Sequence, residues 1–378
     1  MIESIKRLTP VYVEFLKKIV SFETPSEDKA RLDTLVDYIE GFLKERGFQT
    51  ERIPFEKSGD FLRVRKGSGA KKPVMFMAHM DTVHPVGNFG EKTLWEEGTI
   101  LHGPGSTDCK GGLATSLLIM EALSEDKDFD RPTVMLLTSD EEISGRLSGE
   151  RGFDLMRETA KESCALFNGE PGTPDGITVS RKGILRLKVE VKGRAAHAGN
   201  AYFKGASAIR EAAHQIINIE AESREDGATF NCGLISGGKA ANAVPDYCTF
   251  TVDIRGVTDK MLHDAHEKVL AHTKVTTVPD TECTVSVLSR RPPMEDVPAN
   301  RELLAIINEA ARDMGVPEYK PIKRGGGSDA AYTVQVGTPS VCSCGPVGKF
   351  EHSTNECVDL STFEPRAELI YRAAKKLK

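Results

Sequence analysis

The sequence predicts an α/β protein with a mixed, largely parallel sheet and flanking helices, interrupted by an inserted ferredoxin-like α+β sandwich. Three observations predict it. The runs "PVMFMAH" (73–79), "TVMLLTS" (133–139) and "CALFN" (164–168) are short, nearly all apolar, and end in polar or turn residues. Strands covered by helices on both faces look like this. The helical stretch "GGLATSLLIMEAL" lies between the first two runs, as in a βαβ unit. From Gly183 the pattern changes to strict alternation in "ILRLKVEVKG", which marks a half-exposed strand.

Taken in order, residues 9–20 and 26–46 read as helices, with Thr9–Pro10 as a start signal. Leu32, Leu35, Val36, Ile39, Phe42 and Leu43 share one helical face, and Gly47 is the expected stop. After the three apolar strands comes the alternating one, with Leu185, Leu187, Val189 and Val191 on one side. A helix over about 206–222, strands near 229–236 and 247–255, a helix over about 259–273 and a strand near 282–289 follow. The order β-α-β-β-α-β is that of a split βαβ sandwich. The chain of 378 residues is long for one core, so two domains are expected: 1–182 with 291–378, and an insert over 183–290. A helix over about 301–314, a Gly-rich turn "RGGGSDAAY", a short strand "PSVCSCG" and a last helix with a Ser361–Glu364 capping box complete the chain.

The bulk numbers exclude several classes. A net charge of −6 lacks the basic field of a general nucleic-acid binder. No apolar run approaches a membrane span, and "MIESIKRLTPVYVEF" lacks the core of a signal peptide. The eight cysteines are scattered without a CxxC, which suits free thiols and a cytoplasmic location. "CSC" at Cys342–Cys344 reads as a buried strand, and His263 with His266 as a wet helical face.

Ionisable residues recur at the ends of the expected central strands. "PVMFMAHMD" ends in His79 and Asp81; "HGPGSTDCKGG" places Asp108 before a glycine pair that opens a helix. "TSDEE" supplies Glu141 and Glu142, "CALFNGEPG" supplies Glu170, and "GKFEHSTNE" supplies His352. In open α/β sheets the carboxyl ends of the strands line one crevice, so these residues can converge. Two imidazoles and several carboxylates suit zinc, with cobalt or manganese as alternatives. A pair of such metals clamps a bridging water and makes hydroxide available near neutral pH. One glutamate of the adjacent pair then binds metal while its neighbour stays free as a base. No P-loop, dinucleotide fingerprint or nucleophile elbow is present.

The motifs "HMDT", "GPGSTDCKGG", "DEE", "NGEPG", "GRAAHAG", "GGGSDAAY" and "EHSTNE" resemble, in this order, those of the dinuclear zinc exopeptidases. That family includes glutamate carboxypeptidase, peptidase T, aminoacylase and succinyl-diaminopimelate desuccinylase, and the likeness is greatest to bacterial glutamate carboxypeptidase. The resemblance implies that Asp108 bridges two divalent metal ions, that His79 and Glu170 complete one site, and that Glu142 and His352 complete the other. It implies that Asp81 hydrogen-bonds the His79 ring, that Glu141 is the general base, and that the Asp108–Cys109 peptide is cis. The insert is then a dimerisation (lid) domain, with His197 reaching the partner's active site to stabilise the oxyanion.

Asn242 in "ANAVPD" and Arg255 in "VDIRG" match positions that grip a substrate carboxylate, and Gly327 one that presents backbone to substrate. A solvated strand end and a tight turn are the structural alternatives for Arg255 and Gly327. Cys109, Ser328 and the loop beyond Glu142 depart from the family pattern. The implied activity is hydrolysis of an amide next to a free, glutamate-like C-terminal carboxylate. The substrate is a small peptide or N-acyl amino acid, with deacylase, desuccinylase or di/tripeptidase activity as alternatives. A non-catalytic metal- or peptide-binding role is the reading from another class.

Overall fold

The computed structural model describes residues 2–378, which divide into two compact units. Among the described residues the first comprises 2–180, 296–323 and 328–378, and the second 181–295 with 324–327.

A six-stranded sheet organises the first unit, in the order Gln49–Ile53, Phe61–Lys66, Thr133–Thr138, Val74–His79, Ala165–Asn168, Ser340–Val341. The last four strands run parallel and the first two are antiparallel additions at one edge. Every residue of Val74–His79, Thr133–Thr138 and Ala165–Asn168 is buried. Such strands have no solvent face, which is why they read as continuous apolar runs. The crossover helix Lys110–Glu125 is itself buried from Lys110 to Leu123 and packs inside the same core as the sheet. A smaller four-stranded sheet pairs Gly348–Lys349, Cys357–Asp359, Ile100–His102 and Trp95–Glu97. His352 sits in the loop between its first two strands, so a strand still follows the histidine.

The second unit holds an antiparallel sheet in the order Thr229–Gly237, Tyr247–Gly256, Gly183–Lys192, Glu282–Arg291. Leu185, Leu187, Val189 and Val191 form its core together with apolar residues of the helices Ala208–Glu220 and Asp259–Thr273. This is the topology that the β-α-β-β-α-β order predicts.

Two local expectations fail. The first helix starts at Glu3 rather than at Thr9–Pro10, and Pro10 lies inside it. Proline in a helix interior removes a donor and costs on the order of 3 kcal/mol. The helix persists because Ile5, Leu8, Tyr12, Phe15, Leu16 and Ile19 bury one stripe on both sides of the proline. The capping box at the last helix is also absent. Ser361 Oγ donates to Asp359 Oδ1 at 2.7 Å, within a short 3-10 turn over Leu360–Thr362. The helix begins at Phe363, whose ring is fully buried. By contrast Gly47 ends the second helix with φ +72, and Phe48 N donates back to Leu43 O.

Candidate metal centre

The chain positions the site by ending buried strands in polar residues. His79 is the last residue of its strand and is 1 % exposed. Its Nδ1 lies 2.9 Å from the Asp81 carbonyl, and a carbonyl can only accept. Nδ1 therefore carries the proton, and Nε2 is the nitrogen left to face Asp108 Oδ1 at 3.0 Å. The other Asp108 oxygen, Oδ2, faces His352 Nε2 at 3.4 Å, and His352 Nε2 also lies 3.2 Å from Glu142. Asp108 thus offers one carboxylate oxygen to each histidine. The Asp108–Cys109 peptide is cis, as expected.

Potential ligand atoms of His79, Glu141 and Glu170 lie within 4.8 Å of one another, and so do those of Asp108, Glu142 and His352. His79, Asp108 and Cys109 form a third such group. Burial pushes the Cys109 thiol up to about 12, so it stays protonated. It accepts the His79 backbone N–H at 3.1 Å. Cys342 and Cys344 are buried, as read from the sequence.

Close backbone packing brings Glu170 to this place. A Cβ on Gly112, at the start of the crossover helix, would lie 1.5 Å from Gly169 O. Only glycine lets the helix reach the turn that carries Glu170.

The electrostatics describe a cluster short of cations. Burial and the charge of Asp108 raise Glu142 well above the usual carboxylate range. Burial also opposes the charged form of Asp108, but His352 and His79 outweigh it and hold that carboxyl low. Hydrogen bonds to Asp108 and then Glu142 push His352 up to about 11. Burial opposes charge on His79, yet Cys109, Asp108 and Asp81 raise it well above the ordinary imidazole value. Protons on the two rings balance acids that divalent cations would balance better. The donor set is oxygen and imidazole nitrogen, which fits zinc, cobalt or manganese. His79, Asp108 and Glu170 would hold one ion, and Asp108, Glu142 and His352 the other.

Asp81 differs in detail from the expectation. Its carboxylate oxygen stands 3.4 Å from His79 Nδ1, farther than its own carbonyl. The carboxylate is engaged by Ser26 Oγ at 2.6 Å and by the backbone N–H groups of Glu141 and Glu142 at 3.2 and 3.1 Å. Sequence reasoning also passed over Asp140, which accepts Leu147 N, Ser148 N and Ser148 Oγ at 2.7–3.0 Å and folds the turn after the glutamates. Glu356, the last residue of "EHSTNE", was missed as well. It is 1 % exposed and accepts Gly105, Thr107 and Asp108 N–H groups at 3.0–3.1 Å. Its place inside a recognised motif was the available signal.

The other predicted residues lie in the second unit. His197 is exposed, and its Nδ1 accepts the Gly199 and Asn200 N–H groups, both at 3.1 Å. In the neutral ring Nε2 is then the donor. Ala198 N donates to Asn242 O at 2.9 Å, so Asn242 and His197 sit together. Arg255 does not join them. It lies eight residues beyond Tyr247 along the strand Tyr247–Gly256, while the short ribbon of Ala196–His197 with Ala243–Val244 precedes that strand. At about 3.3 Å per residue that is roughly 26 Å. The Arg255 fork is held by Asp253, with Nε 2.6 Å from Oδ1. Gly327 packs at the Arg255 end: its carbonyl accepts Arg181 Nη1 at 2.9 Å, and a Cβ there would meet Arg291 Cδ at 2.7 Å.

Known proteins resemble the chain over most of its length. The profile of Peptidase family M20/M25/M40 matches residues 75–376. Carboxypeptidase G2 of Pseudomonas sp. (strain RS-16) is 29% identical over 380 residues, covering 97% of this chain and 88% of that one. An acetylornithine deacetylase of Proteus mirabilis (strain HI4320) is 27% identical over 394 residues, covering 96% and 95%. Among solved structures, aminopeptidase PepT from Bacillus cereus superposes with a TM-score of 0.79 at 20% identity, covering 98% of each chain.

Proposed function

From the premise that the chain belongs to Peptidase family M20/M25/M40, and is a metal-dependent hydrolase, we propose that it is an exopeptidase of carboxypeptidase type. It cleaves an amide bond next to a free, glutamate-like C-terminal carboxylate. One observation carries the reading: Asp108 turns one oxygen to His79 and the other to His352, with Glu141, Glu142 and Glu170 around them. When bound, two divalent cations, zinc by preference, supply Lewis acidity to the amide carbonyl and lower the pKa of water. His79, Asp108, Glu142, Glu170 and His352 hold and orient them. Glu141 takes the proton from the attacking water and delivers it to the leaving amine. Asp81 keeps the two glutamates in register through their backbone.

The leaving side is read from Arg255. Arg186 and Arg255 both engage Asp253, so two guanidinium groups share one carboxylate. A substrate carboxylate would balance the second guanidinium, taking the Arg255 nitrogen that Asp253 does not engage.

A cleft of about 680 Å³ supports a reading of the acyl side. It is lined by Pro25, Val83, Pro85, Val86, Ile143 and Glu142 among others, and so opens beside one proposed ligand. The charges on its rim are already paired: Glu27 with Arg146, Asp28 with Arg31, and Lys29 with Asp33 and Asp60. Such a wall favours a neutral apolar acyl group over an ammonium or a second carboxylate, because an unpaired charge there would lose hydration without a partner.

We also propose a homodimer through residues 183–290. Leu234 and Ile235 on the edge strand are 70% and 56% exposed, and Ile217 on the neighbouring helix is 67% exposed. His197 and Arg255 stand too far apart on one copy to touch one small substrate, so a second copy supplies His197. Among the described residues no helix is long and apolar enough to cross a membrane; a cytoplasmic location remains part of the proposal.

The test is a metal-stripped preparation assayed on an N-acyl-glutamate. Activity that vanishes on chelation, returns with zinc, and is absent in a metal-loaded Glu141→Ala variant supports the reading. Full turnover by either the stripped protein or that variant sinks it.

A further inference from the structure

We infer that Glu356 is a positioning residue for the metal centre: its carboxylate ties the loop carrying Asp108 to the loop carrying His352, and cation affinity at the Asp108–Glu142–His352 position depends on that tie. The inference rests on the proposed reading of those three residues as metal ligands.

The carboxylate has its full complement of partners. Oε1 accepts Thr107 N at 3.1 Å and Asp108 N at 3.0 Å. Oε2 accepts Gly105 N at 3.1 Å and faces His84 Nε2 at 2.8 Å. An ionised carboxylate has about four acceptor directions, and four donors point at this one. One of them is the backbone N–H of the bridging residue Asp108 itself. Glu356 is 1 % exposed and His84 3 % exposed, so neither is offered to substrate.

The main chain repeats the connection. Gly103 N donates to Glu356 O at 3.2 Å, and Cys357 pairs with His102 across the small sheet. Glu356 N in turn closes onto Ser353 O at 3.0 Å, next to His352. The loops also pack without slack, since a Cβ on Gly348 would stand 2.1 Å from Thr107 Oγ1. His352 itself has φ +63, a left-handed conformation that a non-glycine residue adopts at some cost. A loop in that state needs surrounding contacts to hold it, and Glu356, four residues on, supplies several of them.

Glutamine is the informative substitution. It keeps the shape but has one acceptor oxygen, and its NH₂ group meets backbone donors that need an acceptor. Partners behind metal ligands typically account for about 10–100-fold in affinity. The experiment is a zinc titration of the chelator-stripped full chain, with a competing indicator, for the unchanged protein, Glu356→Gln and His352→Ala. His352→Ala identifies which of the two equivalents belongs to the His352 position.

The expected result is that Glu356→Gln weakens that same equivalent by about 10–100-fold and weakens the other, which shares Asp108 but not the His352 loop, clearly less. Cobalt(II) should show the larger change of visible spectrum for that equivalent, which a general loss of stability would not produce. Equal weakening of both equivalents, or no weakening, overturns the inference. If Glu356→Gln does not fold, His84→Leu, which removes one donor and leaves the carboxylate, must show the same selective weakening in smaller measure; its absence overturns the inference too. An unchanged protein that takes up no metal would instead sink the proposed function.

Discussion

The Asp81 carboxylate accepts the backbone N–H groups of both Glu141 and Glu142, at 3.2 and 3.1 Å, while Ser26 Oγ donates to it at 2.6 Å. This explains how adjacent glutamates can serve different tasks. Their peptide groups are pinned by one buried acceptor, and the two side chains leave toward different clusters. Glu141 groups with His79 and Glu170, and Glu142 with Asp108 and His352.

Replacing Asp81 by asparagine should therefore disturb both glutamates at once. The amide would turn donors toward N–H groups. Zinc affinity is expected to fall by about 10–100-fold, with kcat lowered along with it, and a competition titration beside steady-state kinetics would measure both. Unchanged metal affinity would refute the assigned role.

Protons and metal should compete at His352. Hydrogen bonds to Asp108 and Glu142 raise its pKa from 6.5 to about 11. A raised imidazole pKa stabilises the metal-free fold fully below about 6.5, and that contribution is lost as pH rises through about 11. A cation takes the deprotonated ring, so metal affinity should climb with pH across this window and binding should release protons. Calorimetry in buffers of different ionisation enthalpy detects the release; its absence would contradict the geometry.

The cleft predicts acyl selectivity. With a common glutamate leaving group, N-benzoyl and N-isovaleryl substrates should exceed succinyl and unblocked aminoacyl ones in kcat/KM. Ile143→Asp should lower kcat/KM for the apolar substrates by on the order of tenfold or more, since burying an uncompensated charge beside them costs at least 1.4 kcal/mol. A flat profile across the four substrates would discard the cleft, though not the hydrolase.

His197 supplies the test of the dimer. His197→Ala and Glu141→Ala are each expected to be inactive. Mixed one to one and refolded together, they should regain about a quarter of normal activity, because about half of the dimers are hybrids and each hybrid contains one intact site of two. No recovery at all, with mixed dimers present by mass spectrometry, would place His197 in its own chain's site or in none.

Several features were legible before folding. The buried strands announced themselves because a strand without a solvent face needs no polar residue. Their polar ends, His79, Glu141–Glu142 and Glu170, stood out against that apolar background. The alternation from Leu185 to Val191 identified a one-sided sheet by its period alone. The first helix misled because Thr9–Pro10 is a local start signal, whereas the buried stripe from Ile5 to Ile19 depends on what the helix packs against.

The chemistry of the ligands is a property of the residues themselves, and the chain order of strands and helices states which of them can meet. That much the amino-acid sequence determined by itself. Which oxygen of Asp108 faces which histidine, that the Asp81 carboxylate serves backbone rather than imidazole, that Arg255 is clasped by Asp253, and that Glu356 grips a loop some 250 positions earlier were decided only in three dimensions. The reason is physical: a hydrogen bond is settled by distance and direction between groups that the chain brings together from far apart, and no local pattern encodes either.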